Sequence, residues 1–397
     1  MPGKAIICGA SIGGLFAAAA LQKAGWSVDV YERSTVELSG RGAGIVTHPQ
    51  LIGALKAVGA DTNDLGIPVT DRVAIDRDGH DLARMEYRQI VTSWDRLHVI
   101  LRALIKDGQH HLGRVVSGYE QGDRNAVVRF ADGGRASADL VVGADGFRSA
   151  IRGQMQPQVQ PIYSGYVVWR AVASERALPA ALVARLFDEF VFYLPSGYQV
   201  IGYPIAGPGN DLRPDHRRYN FVWYVPVAPG ALDDMLTDQD GVHHALSIPP
   251  PLVRDGVLEA LFGLADAVLP PPLRDVLAQS DRPFFTPIYD HVSPVFAERR
   301  VALCGDAACV ARPHVGMGVT KAGQDALALA RHLAKGDVPQ ALANYSTERA
   351  TASLAVHERA QMLGRFMMAR PELGDNSDGC NNPNIAEIMR LTAIADF

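Results

Sequence analysis

The stretch KAIICGASIGGLFAAAALQKAGWSVDVYE, residues 4 to 32, leaves few ways for this chain to begin folding. An apolar run meets a cluster of glycines at 9, 13 and 14, an alanine-rich helical pattern ends at Gly25, and a second apolar strand ends at Glu32. Strand, tight turn, helix and strand in that order predict a βαβ unit whose helix N-terminus attracts a phosphate. Glu32 follows Gly14 by 18 residues, where a carboxylate accepts the hydroxyls of an adenosine ribose. Ser11 stands where the middle glycine of GxGxxG would be, and its small side chain still lets the backbone approach a pyrophosphate. Gly9, Ser11, Gly13, Gly14 and Glu32 are therefore expected cofactor contacts. The same letters fit GxSxG, with Ser11 as the nucleophile of a serine hydrolase, but only eight residues precede Gly9 to build a sheet and oxyanion donors. A signal-peptide reading of the same apolar run fails because it continues directly into the strand-like WSVDVYER.

A chain of 397 residues exceeds one ordinary hydrophobic core, so two joined domains are expected. The 38 Lys and Arg and 43 Asp and Glu are dispersed, giving a net charge of −5 and no basic stripe for nucleic acid or a membrane surface. Cys8, Cys304, Cys309 and Cys380 lack CxxC spacing and read as reduced thiols of a cytoplasmic protein. No apolar run reaches the roughly 18 to 20 residues of a membrane span.

Farther along, WDRLHVILRALIKDG predicts a helix, QGDRNAVVRFADGGRA a hairpin, and DLVVGADG a buried strand ending in Asp145 and Gly146. From 162 to 228 the strands become aromatic and apolar on both faces (YVVWRAVA, EFVFYL, YQVIGYPI, YNFVWYVPVA), which predicts a separate antiparallel sheet. The chain then returns to an apolar strand, RRVALC, followed by GDAACVARPHVGMG and helices near 319–334 and 339–369.

The N-terminal glycine turn, the central Asp145-Gly146 and the late Gly305-Asp306 together resemble the single-component, p-hydroxybenzoate hydroxylase-like flavoprotein aromatic hydroxylases, over residues 4 to about 370. The resemblance implies an α/β fold: an FAD-binding Rossmann-like domain (1–75, 92–160 and 283–397, with C-terminal helices) and an inserted antiparallel-sheet substrate domain (76–91 and 161–282). It places the strand ending at Cys304 beside the N-terminal strand. It implies FAD as cofactor, NADH or NADPH as a transient co-substrate, and hydroxylation of an aromatic or N-heteroaromatic ring, such as a dihydroxypyridine, through a flavin C4a-hydroperoxide. A homodimer is compatible with it. The cofactor set then extends to Arg33, Arg41, Arg102, Asp145, Asp306, Pro313, Gly316, Met317 and Gly318. Many relatives carry Arg where this chain has Trp94, so Arg96 or Arg102 is expected to substitute.

For the substrate, the aromatic strands offer Phe192, Tyr193, Tyr203, Trp223 and Tyr224 as a dry wall with polar tips, and Tyr203, Trp223, Tyr224 and His48 are the expected contacts. His314, beside Pro313, is the expected catalytic residue, orienting a substrate oxygen or accepting its proton. The pairs His110-His111 and His243-His244 read as solvated, and no metal motif is present. A flavin-binding sensor without oxygenase activity is the remaining alternative.

Overall fold

The computed structural model describes residues 3–38, 44–368 and 385–394; Arg41 and Cys380 lie outside them. The chain opens with β1 (Lys4–Cys8), α1 (Ile12–Lys23) and β2 (Ser27–Tyr31), the two strands pairing in parallel. Helix α1 is buried along most of its length because it lies between this sheet and the helix Gly318–Leu333. Its run of four alanines permits that close approach.

Six strands make the first sheet, in the order Ala297–Glu298, Val301–Leu303, Leu140–Gly143, β1, β2, His110–His111. The strand ending just before Cys304 therefore pairs with Leu140–Gly143 and not with β1, which corrects the expected neighbour. The turns after these strands still converge, since a methyl added at Gly13 would sit 3.8 Å from the Gly305 Cα. On the other face lies a three-stranded sheet, Val116–Gln121, Ala126–Phe130 and Arg135–Ala138, one strand more than the expected hairpin. The helix beginning at Trp94 ends at Arg102, shorter than its apolar pattern suggested.

The second sheet has nine strands and is antiparallel except where Glu189–Tyr193 runs parallel to Ile67–Ile75. It takes in Gly44–Val46, Ile67–Ile75 and Phe284–Val292 as well as the aromatic strands, because their backbones complete its hydrogen-bond ladder. Side chains alternate across it. Tyr219, Phe221, Trp223 and Val225 pack on one face with the helices Asp255–Val268 and Pro271–Ala278, while Val222 and Tyr224 face the other core with Tyr166, Phe190 and Tyr203. Its outermost pairing, His291 with Val310 and Val292 with Cys309, ties the sheet to the loop after Gly305-Asp306. Cys8, Cys304 and Cys309 are buried free thiols.

That late turn is anchored by a buried ionic cluster. Asp325 accepts from the Gly305 N–H at 3.0 Å and from Arg349 Nε at 2.7 Å, with Lys321 Nζ at 3.4 Å. Lys321 also donates to the Gly305 carbonyl at 2.9 Å. Burial opposes the lysine's charge most strongly of any single cause, but Asp325 together with Cys309, Asp306 and Cys304 raises the Lys321 pKa overall. Asp325→Ala leaves two buried cations and the Gly305 N–H without their acceptor, and is expected to lower the unfolding free energy by about 3 to 5 kcal/mol. Denaturant titration checks this; a loss below about 1 kcal/mol contradicts it.

Candidate active site

A groove begins at the N-terminal turn. Gly9 (φ +108°) has no room for a side chain, since a Cβ there would lie 2.4 Å from the Ala144 carbonyl, and one at Gly14 would meet the Gly9 carbonyl at 1.9 Å. Ser11 is the N-cap of α1, yet its hydroxyl makes no capping bond, which leaves it and the first-turn amides facing the groove. No imidazole is hydrogen-bonded to Ser11 among the described residues, so the base that a nucleophilic serine needs is missing. Glu32, buried at the end of β2, accepts from Ala10 N and Ser34 N, each at 2.9 Å. It ties the glycine turn to the strand and keeps further lone pairs for a ligand. The groove encloses about 360 Å³ and is also lined by Tyr31, Arg33, Arg114, Asp145, Gly146 and Arg148.

Asp145 is committed to local structure. Its Oδ2 accepts from Ala150 N at 2.7 Å, capping the helix Ala150–Met155, while its buried Oδ1 has no partner among the described residues. Burial raises its pKa.

The second cavity lies between the loop 306–319 and the nine-stranded sheet. Asp306, Arg312, Pro313, His314, Gly316, Met317 and Gly318 form its near side; Arg170, Phe190, Ile201, Tyr203, Val222 and Tyr224 form the far side. Asp306 is exposed to the cavity, and the partial desolvation there raises its pKa against the pull of Lys321. Gly316 is left-handed (φ +63°), and a Cβ there would press on Ala393 at 3.0 Å. The helix Gly318–Leu333 begins at this loop with no side-chain cap and no acidic residue in its first turn, so its positive end faces the cavity. The chamber's roof, Thr392 and Ala393, is held by Arg72, a fully buried guanidinium bonded to the carbonyls of Met389, Thr392 and Ala393 and to Gln89.

His314 lines the chamber with both ring nitrogens engaged: Nε2 with the Tyr166 hydroxyl at 2.9 Å and Nδ1 with Gln199 Oε1 at 2.8 Å. The expected proton acceptor thus has no nitrogen left for a substrate. Trp223 is a second correction, because strand alternation turns it into the opposite core, as it does Tyr193. His48 is buried behind Gly316, bonds Thr320 Oγ1 at 2.8 Å, and lines a different cleft with Tyr87 and Gln89. Neither arginine expected to replace Trp94 lines the groove or the chamber. Arg102 is held by Glu37, Asp107 and the Ile105 carbonyl, Arg96 by the Asn63 carbonyl, and Trp94 itself stacks on His98. His110 is not solvated, since strand pairing beside β2 buries its ring against Glu37, whereas His111 stays partly exposed while resting on Asp29 and Tyr31. His244 bonds Asp238, whereas His243 is exposed. Asp76, Asp78 and His80 bring three potential metal ligands together in a hairpin turn, where Asp76 accepts the backbone N–H of the other two.

Sequence reasoning missed Arg114, Arg148, Arg170 and Arg312 as lining residues, since a motif such as GDAACVARPHVGMG fixes the backbone turn but not where an arginine side chain points.

Residues 163–290 match the family model described as FAD binding domain-like. The chain is 33% identical over 346 residues to 2,6-dihydroxypyridine 3-monooxygenase of Paenarthrobacter nicotinovorans, covering 86% of each sequence. It is 27% identical over 390 residues to 6-hydroxynicotinate 3-monooxygenase of Pseudomonas fluorescens, covering 94% of this chain and 92% of that one. The solved structure of 2,6-dihydroxypyridine-3-hydroxylase from Arthrobacter nicotinovorans matches with a TM-score of 0.87 at 30% identity, over 92% of this chain and 93% of that one.

The buried imidazole gives the fold a pH dependence. Burial, with the Arg312 cation nearby, pushes His314 down to about 3. An unfolded chain protonates this histidine near a pKa of about 6.5, while the folded site refuses the proton until far lower pH. The stability it contributes is complete above about 6.5 and is lost as pH falls toward 3. His314→Asn is therefore expected to lose less unfolding free energy than wild type between pH 7 and pH 4; equal losses contradict the assignment.

Proposed function

Because the chain belongs to the FAD-dependent aromatic monooxygenases, we propose that it hydroxylates a hydroxypyridine, converting 2,6-dihydroxypyridine to 2,3,6-trihydroxypyridine at the expense of NADH or NADPH and O2. The observation that carries this reading is the pair of cavities led into by turns that meet at Gly13 and Gly305. One is a glycine-lined groove suited to a nucleotide, the other a chamber walled by aromatic strands and donor side chains. The likeness to the dihydroxypyridine enzyme over most of both chains supports the ring type.

FAD, when bound, accepts hydride from the nicotinamide and activates oxygen. The residues present fit it. Glu32 has acceptor capacity for ribose hydroxyls, Ser11 and the amides of α1 face a pyrophosphate position, and Asp306 offers an acceptor to the ribityl chain. The peptide groups of Gly316 to Gly318 and the following helix N-terminus offer positive potential to the flavin's pyrimidine edge. Phe190, Ile201, Val222 and Met317 exclude water from the chamber, and the Arg72-held roof closes it. His314, neutral and bonded at both nitrogens, fixes Tyr166 and Gln199 and is a positioning residue here, not the proton acceptor. The segments 1–75, 92–160 and 283–397 serve chiefly the cofactor, and 76–91 with 161–282 the substrate, with the sheet crossing between them.

The same reading places the enzyme in the cytoplasm with small-molecule partners. Among the described residues no helix is long and apolar enough to cross a membrane.

Glu32→Ala is expected to weaken FAD binding by roughly 1 to 3 kcal/mol, as ribose hydroxyls lose a charged acceptor; unchanged affinity on flavin titration contradicts the role. The reaction itself is tested by adding 2,6-dihydroxypyridine to the holoenzyme. NADH or NADPH oxidation should accelerate at least about tenfold, a barrier change of about 1.4 kcal/mol, with a product one oxygen heavier. Oxidation without ring hydroxylation for every phenol and hydroxypyridine tried overturns the proposal and restores the sensor reading.

A further inference from the structure

The polar groups of the chamber are unevenly matched. His314 is satisfied at both nitrogens, and Arg312 Nε donates to Asp290 at 2.6 Å. The Arg170 guanidinium, by contrast, has neither an ion pair nor a hydrogen bond among the described residues, although it projects from the middle of the strand Ile162–Ser174 into the chamber. Its partners across the ladder are Val222 and Phe284, which offer it no side-chain acceptor. Tyr203 and Tyr224 line the same space, and neither hydroxyl has a hydrogen-bond partner among the described residues; both residues are nearly fully buried, at 4% and 2% exposure. Beside Tyr203 on the neighbouring strand, Asn220 receives the Gly44 N–H on its oxygen and leaves its buried Nδ2 unmatched. One cation and two further donors thus face a cavity whose carboxylate, Asp306, stands on the opposite, loop side, with the unmatched Asn220 Nδ2 buried behind Tyr203. Buried donors without acceptors are costly, so such an arrangement is built for a ligand that supplies acceptors and a negative charge.

The tyrosines stay donors throughout the physiological range. Burial lifts Tyr224 to about 12 and Tyr203 higher still, although the charge of Arg170 pulls both the other way. Apolar side chains on the same wall, Phe190, Ile201 and Val222, suit a flat ring. Phe190 stacks on Tyr203 with ring centroids 4.9 Å apart and so holds that phenol in place.

We propose that Arg170 is a specificity-determining residue that selects the monoanion of a hydroxylated six-membered ring, holding a negatively charged oxygen attached to the ring while Tyr203 and Tyr224 donate to it. The proposal rests on the hydroxypyridine reading above and narrows it to the ionised form. Binding as the anion also keeps the ring electron-rich, the state that an electrophilic oxygen attacks fastest. The charged oxygen has two sources, a ring oxyanion or a ring carboxylate, and both present the same chemistry to a guanidinium.

The test measures binding without turnover. Holoenzyme carrying oxidised FAD is titrated anaerobically with 2,6-dihydroxypyridine between pH 5 and 9, following the flavin and ligand absorbance, and with the near-isosteric pair nicotinate and nicotinamide. Wild type is expected to bind the dihydroxypyridine monoanion at least about tenfold more tightly than the neutral form, so that the bound ligand ionises at lower pH than the free one. Arg170→Met should abolish that preference while keeping its flavin, and Arg170→Lys should restore much of it. A matching preference for nicotinate over nicotinamide identifies the carboxylate as the recognised source; its absence identifies the ring oxyanion. Equal affinity of wild type for charged and neutral forms overturns the proposal whatever the variants do, as does an unchanged preference in Arg170→Met. Turnover is not part of the readout, so a protein that selects anions yet hydroxylates nothing would refute the monooxygenase substrate and leave Arg170's role standing.

Discussion

The buried contact of Asp325 with Lys321, Arg349 and the Gly305 N–H is the constraint on which the rest of this architecture depends. Gly305 and Asp306 are nearly three hundred residues from the N-terminal glycine turn in sequence, and no local propensity brings the two together. A carboxylate on one helix, held by cations from the same helix and the next, fixes the late turn by its peptide groups. Tyr345 adds a bond from its hydroxyl to the Leu303 carbonyl at 2.7 Å, securing the strand that leads into it. With the turn pinned, Gly13 and Gly305 come into near contact, bringing the turn after β1 against the turn that leads into the chamber's loop.

The chamber follows from strand alternation. Because both faces of the aromatic sheet are apolar, one face builds an ordinary core with Trp223 and Phe221, and the other is free to confront the loop 306–319. The pairing of His291 with Val310 fastens that loop to the sheet edge, so wall and loop form one unit. Arg72 completes it by binding backbone carbonyls of the C-terminal segment, a use of charge in which the carbonyls and Gln89 replace a carboxylate partner.

Much of this was legible in the sequence where a residue type has a single backbone reason. Gly9, Gly14 and Gly316 stand where a Cβ would strike a carbonyl or Ala393, and the βαβ spacing located Glu32 on the groove. What escaped was set by pairing across long separations. Alternation along one strand decided that Tyr224 faces the chamber and Trp223 does not, and a run apolar on both faces hides which parity is which. His314 lines the chamber, but its partners Tyr166 and Gln199 come from distant strands and could not be read beside it. Arg170 and Asp325 carry no motif at all; only the fold shows that one lacks a partner and the other has three.

Whether O2 supplies the new ring oxygen is read by isotope incorporation. Holoenzyme supplied with NADH or NADPH, 2,6-dihydroxypyridine and 18O2 in ordinary water should yield a trihydroxylated ring carrying one heavy oxygen atom by mass spectrometry. A product whose new oxygen comes from water, or peroxide formation with the ring unchanged, would contradict the account.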